Sequence, residues 1–304
     1  MASQPIATQP IPPATDAADA INGGEDSPQK PARPRMSTRN RLLFFLTAWL
    51  LVLMPFLFWW STWFGRPLKP KEMSEYLNDN VHPRHIQHAI VQLGQRMSQH
   101  DASAAQWYGD LVRLAANPRE EVRSTDAWVM GQDTAGPGFH EALVKMLGDS
   151  SVVVRGNAAL SLVRFGDNSG RAQIVSLLQP VVITTPSAGR VIDAATVGTM
   201  IHQGGLVAKV QGDDSQIHEL RSPVTGRVRL ATGTGAAKTA GASVATVDPG
   251  EEQVWEALRA LYLVGQVDDV PAIRPYEREL PEVSDRVRVQ AADTERAINS
   301  RASK

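Results

Sequence analysis

The sequence predicts a multidomain α+β protein with three parts: one transmembrane helix, an α-helical repeat array, and an all-β segment that interrupts the array. Three observations predict this organisation. An uncharged apolar run lies near the N-terminal end. A Val-Arg pair followed by alanine recurs in helix-forming segments on both sides of a stretch rich in Gly and Val. That stretch is itself a tandem repeat.

The apolar run extends from Leu42 to Phe64 and holds 23 residues without a charge. At about 1.5 Å of rise per residue, a helix of this length spans the roughly 30 Å hydrocarbon core of a bilayer. The run is too long and starts too late for the apolar region of a cleavable signal peptide. We therefore expect a transmembrane helix over residues 41–65.

The basic residues around this run predict its orientation. Five precede it and three follow it: Lys30, Arg33, Arg35, Arg39 and Arg41, then Arg66, Lys69 and Lys71. The positive-inside rule then places the N-terminus in the cytoplasm and the main domain in the periplasm, as a single-pass protein of a bacterial inner membrane. Residues 1–40 hold seven prolines and no aromatic residue, so this tail is predicted to be disordered.

Composition excludes several functions. The chain has no cysteine, which excludes disulfides and Cys-ligated metal sites. Its 31 Lys and Arg residues against 32 Asp and Glu residues give a net charge of -1. Because no overall basic field exists to attract phosphates, we do not expect nucleic-acid binding.

The helical part contains an internal repeat. VRSTDA at 122–127 matches VRGNAA at 154–159, thirty-two positions later, and VRVQAA follows at 287–292. Apolar residues recur within these segments at helical spacing, so each is predicted to lie in the first helix of a two-helix unit. A glycine is expected to end the first helix and an Asp to cap the second. The second helices are predicted over residues 139–147, 172–178 and 270–276.

In these motifs the chain resembles the HEAT-repeat family, which gives predicted solenoid segments over residues 72–180 and 250–300. The resemblance implies a concave protein-binding surface and no chemistry. It also implies an acidic residue, five positions before the repeat Val, that bridges to the repeat Arg. Asn117, Asp149 and Glu282 occupy this position, so the first and last repeats are degenerate and are expected to act as caps.

The segment 181–249 repeats with an offset of thirty-seven residues. PSAGRV at 186–191 returns as PVTGRV at 223–228. Gly198 and Gly204 return as Gly235 and Gly241. The pattern predicts two halves, each a strand-turn-strand hairpin whose glycines adopt positive φ angles, that pair into a flattened antiparallel sandwich.

This repeat resembles the barrel-sandwich hybrid fold of biotinyl and lipoyl domains, and more closely the lipoyl-like domain of periplasmic adaptor proteins of the membrane-fusion family. In lipoyl carriers the modified lysine lies on the hairpin between the halves, at the position held here by Ser215. Serine has no amine to acylate, and Lys209 lies in the preceding strand, so no cofactor is expected. The long helical hairpin of typical adaptors is replaced by the short link 211–220, which argues against direct contact with an outer-membrane channel.

Other candidate sites are weaker. His82, His85 and His88 are spaced by three, which on a continuous helix spreads their side chains around the axis. A metal site there is the minor alternative to solvated or capping histidines. Trp107, Tyr108 and Trp128 fall in helical segments and are predicted to be core residues rather than the lining of a groove.

These features predict a non-enzymatic adaptor or scaffold subunit of an envelope transport complex, able to oligomerise and bound to an integral membrane protein. Asp213 and Asp214, at the tip of the joining loop, are the candidate contact residues. The alternative is a scaffold or assembly factor for another membrane complex, such as a respiratory one. A degenerate carrier subunit is a third option only if another lysine is modified.

Overall fold

The computed structural model describes residues 37–63, 66–213, 215–279 and 283–303. The chain divides into two units, residues 1–66 and residues 67–304. The second unit contains the helical repeats and the β-sheets. Of the expected disordered tail, residues 1–36 lie outside the described residues, as do Asp214 and Glu282.

The first unit contains the helix α1, Thr38–Trp63, which confirms the predicted apolar helix. The helix begins three residues before the predicted span, and residues 64 and 65 lie outside the described residues. Its segment Thr38–Leu57 is long and apolar enough to cross a membrane, and none of it is buried within the protein. Large apolar side chains such as Leu42 and Val52 are therefore exposed along it.

The second unit begins with a helical array. Its α-helices are α2 (Pro70–Leu77), α3 (Pro83–Ser98), α4 (Tyr108–Leu114), α5 (Glu120–Met130), α6 (Phe139–Met146), α7 (Val152–Arg164), α8 (Arg171–Ser176), α9 (Glu251–Val264), α10 (Val270–Ile273) and α11 (Asp285–Ala302). Short 3₁₀ turns cover Ala102–Trp107, Val267–Asp269 and Arg274–Glu277. The longer helices α3, α5, α7, α9 and α11 each pack on the next in one row, and the shorter helices pack behind them. This order confirms the predicted helical repeat.

Polar contacts link successive repeats in register. Arg123 of α5 forms a two-point ion pair with Asp149, with N–O distances of 2.6 and 2.9 Å. Asp149, which precedes the second repeat, thus binds the arginine of the repeat before it. The second repeat's own arginine, Arg155, donates to the backbone carbonyl of Asp149. Ser161 Oγ also donates to the Ala127 carbonyl at 2.8 Å, which ties α7 to α5.

The turns between the paired helices differ from the prediction in one respect. Asp133 and Asp167 do not cap the second helices, because the residues preceding α6 and α8 are Gly138 and Gly170. Each Asp instead accepts the backbone N–H two residues ahead and so shapes the turn. Gly166 has a φ of 73°, as expected for a helix-ending glycine.

The helical array continues across the inserted segment. Ala159, Ile174 and Leu177 on one side share a buried cluster with Val254 and Leu261 on the other. The Gln253 side chain donates to the Leu177 carbonyl at 2.9 Å, and the Tyr276 hydroxyl donates to the Leu178 carbonyl at 2.6 Å. The helices before the insertion and those after it therefore form one continuous helical array.

The inserted segment forms two antiparallel four-stranded sheets. Its strands are β1 (Val181–Thr184), β2 (Gly189–Ala194), β3 (Met200–Ile201), β4 (Leu206–Gly212), β5 (Ile217–Arg221), β6 (Gly226–Ala231), β7 (Ala237–Lys238) and β8 (Ser243–Pro249). One sheet has the order β1-β8-β6-β3 and the other β5-β4-β2-β7. Both are open sheets, and their facing side chains, including Val191, Val210, Val228 and Val247, form a separate buried core.

The two sheets are related by the sequence repeat. Strands β1 to β4 correspond to β5 to β8. Replacing each strand by its counterpart converts one strand order into the other. Each sheet takes two strands from each half. The predicted hairpins are present, since β2 pairs with β4 and β6 pairs with β8. The outer strands β1, β3, β5 and β7 pair with strands of the other half. The turn glycines also agree with the prediction, since φ is 90° at Gly198 and 89° at Gly235, and 76° at both Gly204 and Gly241.

One carboxyl group is buried in the helical core without a partner. Asp126 of α5 is fully buried, and neither of its carboxylate oxygens accepts a hydrogen bond. Desolvation raises the pKa of Asp126 well above its usual value, and the opposing effect of the Arg113 charge is smaller. The equivalent positions of the other two repeats hold Ala158 and Ala291, both buried.

We expect Asp126→Ala to stabilise the protein. Burial favours the neutral form of this unpaired carboxyl, and holding it without a hydrogen-bond partner costs about 1–3 kcal/mol that alanine avoids. In the unfolded chain, the Asp126 carboxyl ionises above a pKa of about 3.9, whereas in the folded state its pKa is higher. The free energy of unfolding of the wild type therefore falls as the pH rises from about 3.9 towards the folded-state pKa. Chemical unfolding at pH 4 and pH 7 measures the gain, which should be larger at pH 7. Asp126→Asn is the control: it keeps the buried polar group and should lose only the pH dependence.

We also expect the solenoid to fold without the inserted sheets. Val181 and Val247 are directly paired, so the two ends of the insertion lie side by side. A short Gly/Ser linker in place of residues 181–249 should therefore preserve cooperative helical unfolding, measured by circular dichroism. A modest loss of stability is expected, because Val153 of α7 packs against the sheet core. Non-cooperative melting of this variant would show that the sheets are part of the solenoid core.

Candidate protein-binding groove

A groove of about 1300 Å³ lies between the row of long helices and the first β-sheet. Helices α5, α7, α9 and α11 provide one side, and β1, β3 and the β5–β6 turn provide the other. Its apolar lining includes the side chains of Trp128, Leu160, Tyr262, Leu263, Val182 and Met200.

Helical periodicity places these apolar residues outside the core. In α5, Val122, Ala127 and Met130 are buried, whereas Trp128 is 48% exposed. Leu263 of α9 is 62% exposed. The prediction that Trp128 is a core residue is therefore wrong, although Trp107 and Tyr108 are buried as expected.

The charged residues of the groove are segregated by helix, except that Arg259 of α9 lies among the carboxylates and pairs with Glu256. Arg155 and Arg164 come from α7. The carboxylates come from the two C-terminal helices: Glu251, Glu252 and Glu256 of α9, and Asp293 of α11. The groove thus has a basic and an acidic part beside its apolar lining.

The acidic part is fixed by contacts around Trp255. The guanidinium carbons of Arg286 and Arg259 lie 3.7 and 4.5 Å from the Trp255 ring centroid. Arg286 also pairs with Glu252 at 2.7 Å, which connects α11 to α9. Because cation–π contacts and ion pairs reinforce each other here, the two helices present a defined surface.

The sequence motifs identified none of these groove residues as functional. Trp128, Leu160 and Leu263 have no distinguishing spacing, because an apolar residue in a helix has the same sequence signal whether it faces the core or a groove. The signal that could have identified them is their position around the helix axis. They point away from the side that carries the buried Val and Ala residues of the repeat.

The predicted tip residues lie at the β4–β5 turn, away from the groove lining. Asp213 and Ser215 are both exposed, and Ser215 has a positive φ of 65°. Lys209 lies within β4 and is 3.8 Å from Glu219 of β5, so it is not at the tip. The candidate contact Asp214 lies outside the described residues.

The histidines are arranged differently from the expectation. His82 precedes α3, so it does not follow the helical spacing of His85 and His88. His82 and His85 both place Nδ1 against the Asp79 carboxylate, while His88 lies 3.0 Å from the Gln92 amide nitrogen. Hydrogen bonding, first from His85, lowers the pKa of Asp79 to about 2, so this carboxylate is charged at neutral pH.

No protein-family model and no curated protein matches the sequence. Among solved structures, the chain is similar to the complex of CpcE and CpcF of phycocyanin lyase from Nostoc sp., with 17% identity over 78% of this chain and 67% of that chain, and a TM-score of 0.41. A designed armadillo repeat protein matches with 15% identity over 75% of this chain and 81% of that chain, and a TM-score of 0.38. A second designed armadillo repeat protein, in complex with a peptide, gives 16% identity over 75% and 80%, and a TM-score of 0.39. These TM-scores lie below 0.5, so the helical-repeat assignment rests on the packing of this chain's own helices.

We expect the purified chain to carry no lipoyl or biotinyl group. The exposed tip offers Ser215, whose hydroxyl does not replace the lysine amine of carrier domains, and Lys209 lies within a strand. Intact-mass measurement should therefore give the mass of the unmodified sequence. Lys209→Arg is the control: an adduct present in the wild type and absent from this variant would contradict the expectation and support a carrier role.

Proposed function

We propose that this protein is a membrane-anchored, non-enzymatic scaffold that holds a segment of a partner protein in its groove, as a subunit of a bacterial envelope transport complex. The observation that carries the proposal is the exposed apolar lining formed by Trp128, Leu263, Val182 and Met200. Contiguous exposed apolar surface with a polar rim is typical of protein-binding sites.

The groove chemistry favours one kind of occupant, an amphipathic segment of the partner. Apolar side chains of such a segment would cover Trp128 and Leu263. Its acidic residues would face Arg155 and Arg164 of α7, and its basic residues would face the carboxylates of α9 and α11. A small-molecule substrate is less well matched, because the groove is open and wide.

We infer further that the inserted sheets are a barrel-sandwich hybrid of the lipoyl-like type. Support comes from the two equivalent sheets, which exchange strands between the halves, and from the direct pairing of β4 with β5, the strands that join the two halves. With Ser215 at the tip, this domain would serve as a rigid docking module rather than as a swinging arm.

The membrane anchor in this proposal is α1. Its length and apolar composition fit a single span, and the basic residues before it favour a cytoplasmic N-terminus. The groove would then be available to the extracytoplasmic part of an integral membrane partner.

Site-directed photo-crosslinking in the native host tests the groove. A photoreactive residue at position 128 or 263 of the full-length chain should crosslink to one membrane protein. The partner should also co-purify in mild detergent, and Trp128→Asp with Leu263→Asp should lower its recovery at least tenfold, because loss of a central aromatic contact typically costs 2 kcal/mol or more. Both positions are exposed, so helical content should not change.

Val91 is the matched control, since it is 48% exposed on α3 and does not line the groove. A photoreactive residue there should give no crosslink, and Val91→Asp should leave the complex intact. If charge reversal at Asp213 and Asp214 abolishes the complex while the groove variants retain it, the sandwich tip carries the contact and the groove assignment is wrong. If no variant or detergent yields a partner, the scaffold proposal fails.

A further inference from the structure

Three potential metal ligands meet at the start of α3. Nδ1 of His82 and Nδ1 of His85 lie 2.9 and 2.7 Å from Asp79 Oδ2. One ligand atom from each of the three residues lies within 4.8 Å of the others. This is the one such group of three found among the described residues of the chain.

The turn between α2 and α3 produces this convergence. Asp79 follows the end of α2, and Pro83 begins α3, so His82 lies just outside the helix with φ and ψ of -118° and 87°. The direction of the His82 side chain is therefore not set by the helical spacing, which would direct it away from His85.

Neighbouring groups hold two of the ligands in position. Asp79 Oδ1 accepts the backbone N–H groups of Val81 and His82, both at 3.1 Å, which leaves Oδ2 directed at the imidazoles. The His85 ring stacks on Tyr76, with centroids 4.4 Å apart and an interplanar angle of 9°. Such outer contacts orient ligands before a metal binds.

We propose that Asp79, His82 and His85 form a binding site for a divalent transition metal ion of the Zn²⁺ type. Two imidazole nitrogens and one carboxylate oxygen suit Zn²⁺, Co²⁺, Ni²⁺ and Cu²⁺, whereas Mg²⁺ and Ca²⁺ prefer all-oxygen sites. The three ligand atoms already lie within 4.8 Å of one another, so one ion could contact all of them through Zn–N and Zn–O bonds of about 2.0–2.2 Å.

Binding would exchange hydrogen bonds for metal–ligand bonds. Each neutral imidazole would give up its Nδ1 hydrogen bond to Asp79, carry its single proton on Nε2 and present the Nδ1 lone pair to the ion. His82 and His85 side chains are 62% and 42% exposed, so further coordination positions would face solvent. Water or a ligand from another protein would fill them.

Metal titration of the full-length chain in detergent, purified with a histidine-free tag and stripped with a chelator, tests the site. Calorimetry with Zn²⁺ should show one saturable ion per chain and none with Mg²⁺. Co²⁺ should give visible absorption bands of a nitrogen- and oxygen-ligated ion. Because the ion would join the end of α2 to the start of α3, Zn²⁺ should also raise the temperature of helical unfolding.

Asp79→Asn, His82→Ala and His85→Ala should each weaken Zn²⁺ binding at least about tenfold. His88→Ala is the matched control, since His88 is a histidine of the same helix that bonds Gln92 instead, and it should bind as the wild type does. The wild-type Co²⁺ spectrum decides the matter if a variant fails to fold. Absence of that spectrum, or equal Zn²⁺ affinity in the wild type and the three ligand variants, would overturn the proposal and leave the cluster as a capping arrangement of hydrogen bonds.

Discussion

The continuity of the solenoid across its insertion is the constraint on which the rest of the second unit depends. Helices α7 and α8 must pack on α9, although sixty-nine residues of sheet separate them in sequence. The buried cluster of Ile174, Leu177, Val254 and Leu261 is formed only if the chain leaves and re-enters the solenoid at one place. Pairing of β1 with β8 meets this requirement, because it brings the first and last strands side by side.

The same constraint creates the groove. Sheets attached at the α8–α9 junction stand beside the row of long helices, so β1 and β3 face residues of α5, α7 and α9 across open space. Neither part alone would enclose Trp128 and Leu263 on two sides. The proposed binding surface thus depends on the position of the insertion, and not on an unusual helix.

Within the solenoid, equivalent positions of different repeats make different side-chain contacts. Arg123 connects two repeats through a partly buried ion pair with Asp149, whereas the equivalent Arg288 pairs with Asp285 of its own helix. Asp126 lies at a buried position that is alanine in the other two repeats. A quasi-one-dimensional array permits this variation, because each repeat has to match only its neighbours.

The sequence by itself determined the apolar helix, the helical repeat and the internal repeat of the sheets. Each depends on local periodicity or on recurrence, and the paired φ angles of Gly198 and Gly235 follow directly from the recurrence. The sequence could not show that the outer strands β1, β3, β5 and β7 pair with the opposite half, because the repeat pattern is satisfied whichever half they join. Only tertiary structure decided that Trp128 faces a groove and that His82 and His85 meet at Asp79. The physical reason is that both outcomes depend on how separate elements are placed: the sheet opposite α5 in one case, and the direction of the turn before α3 in the other.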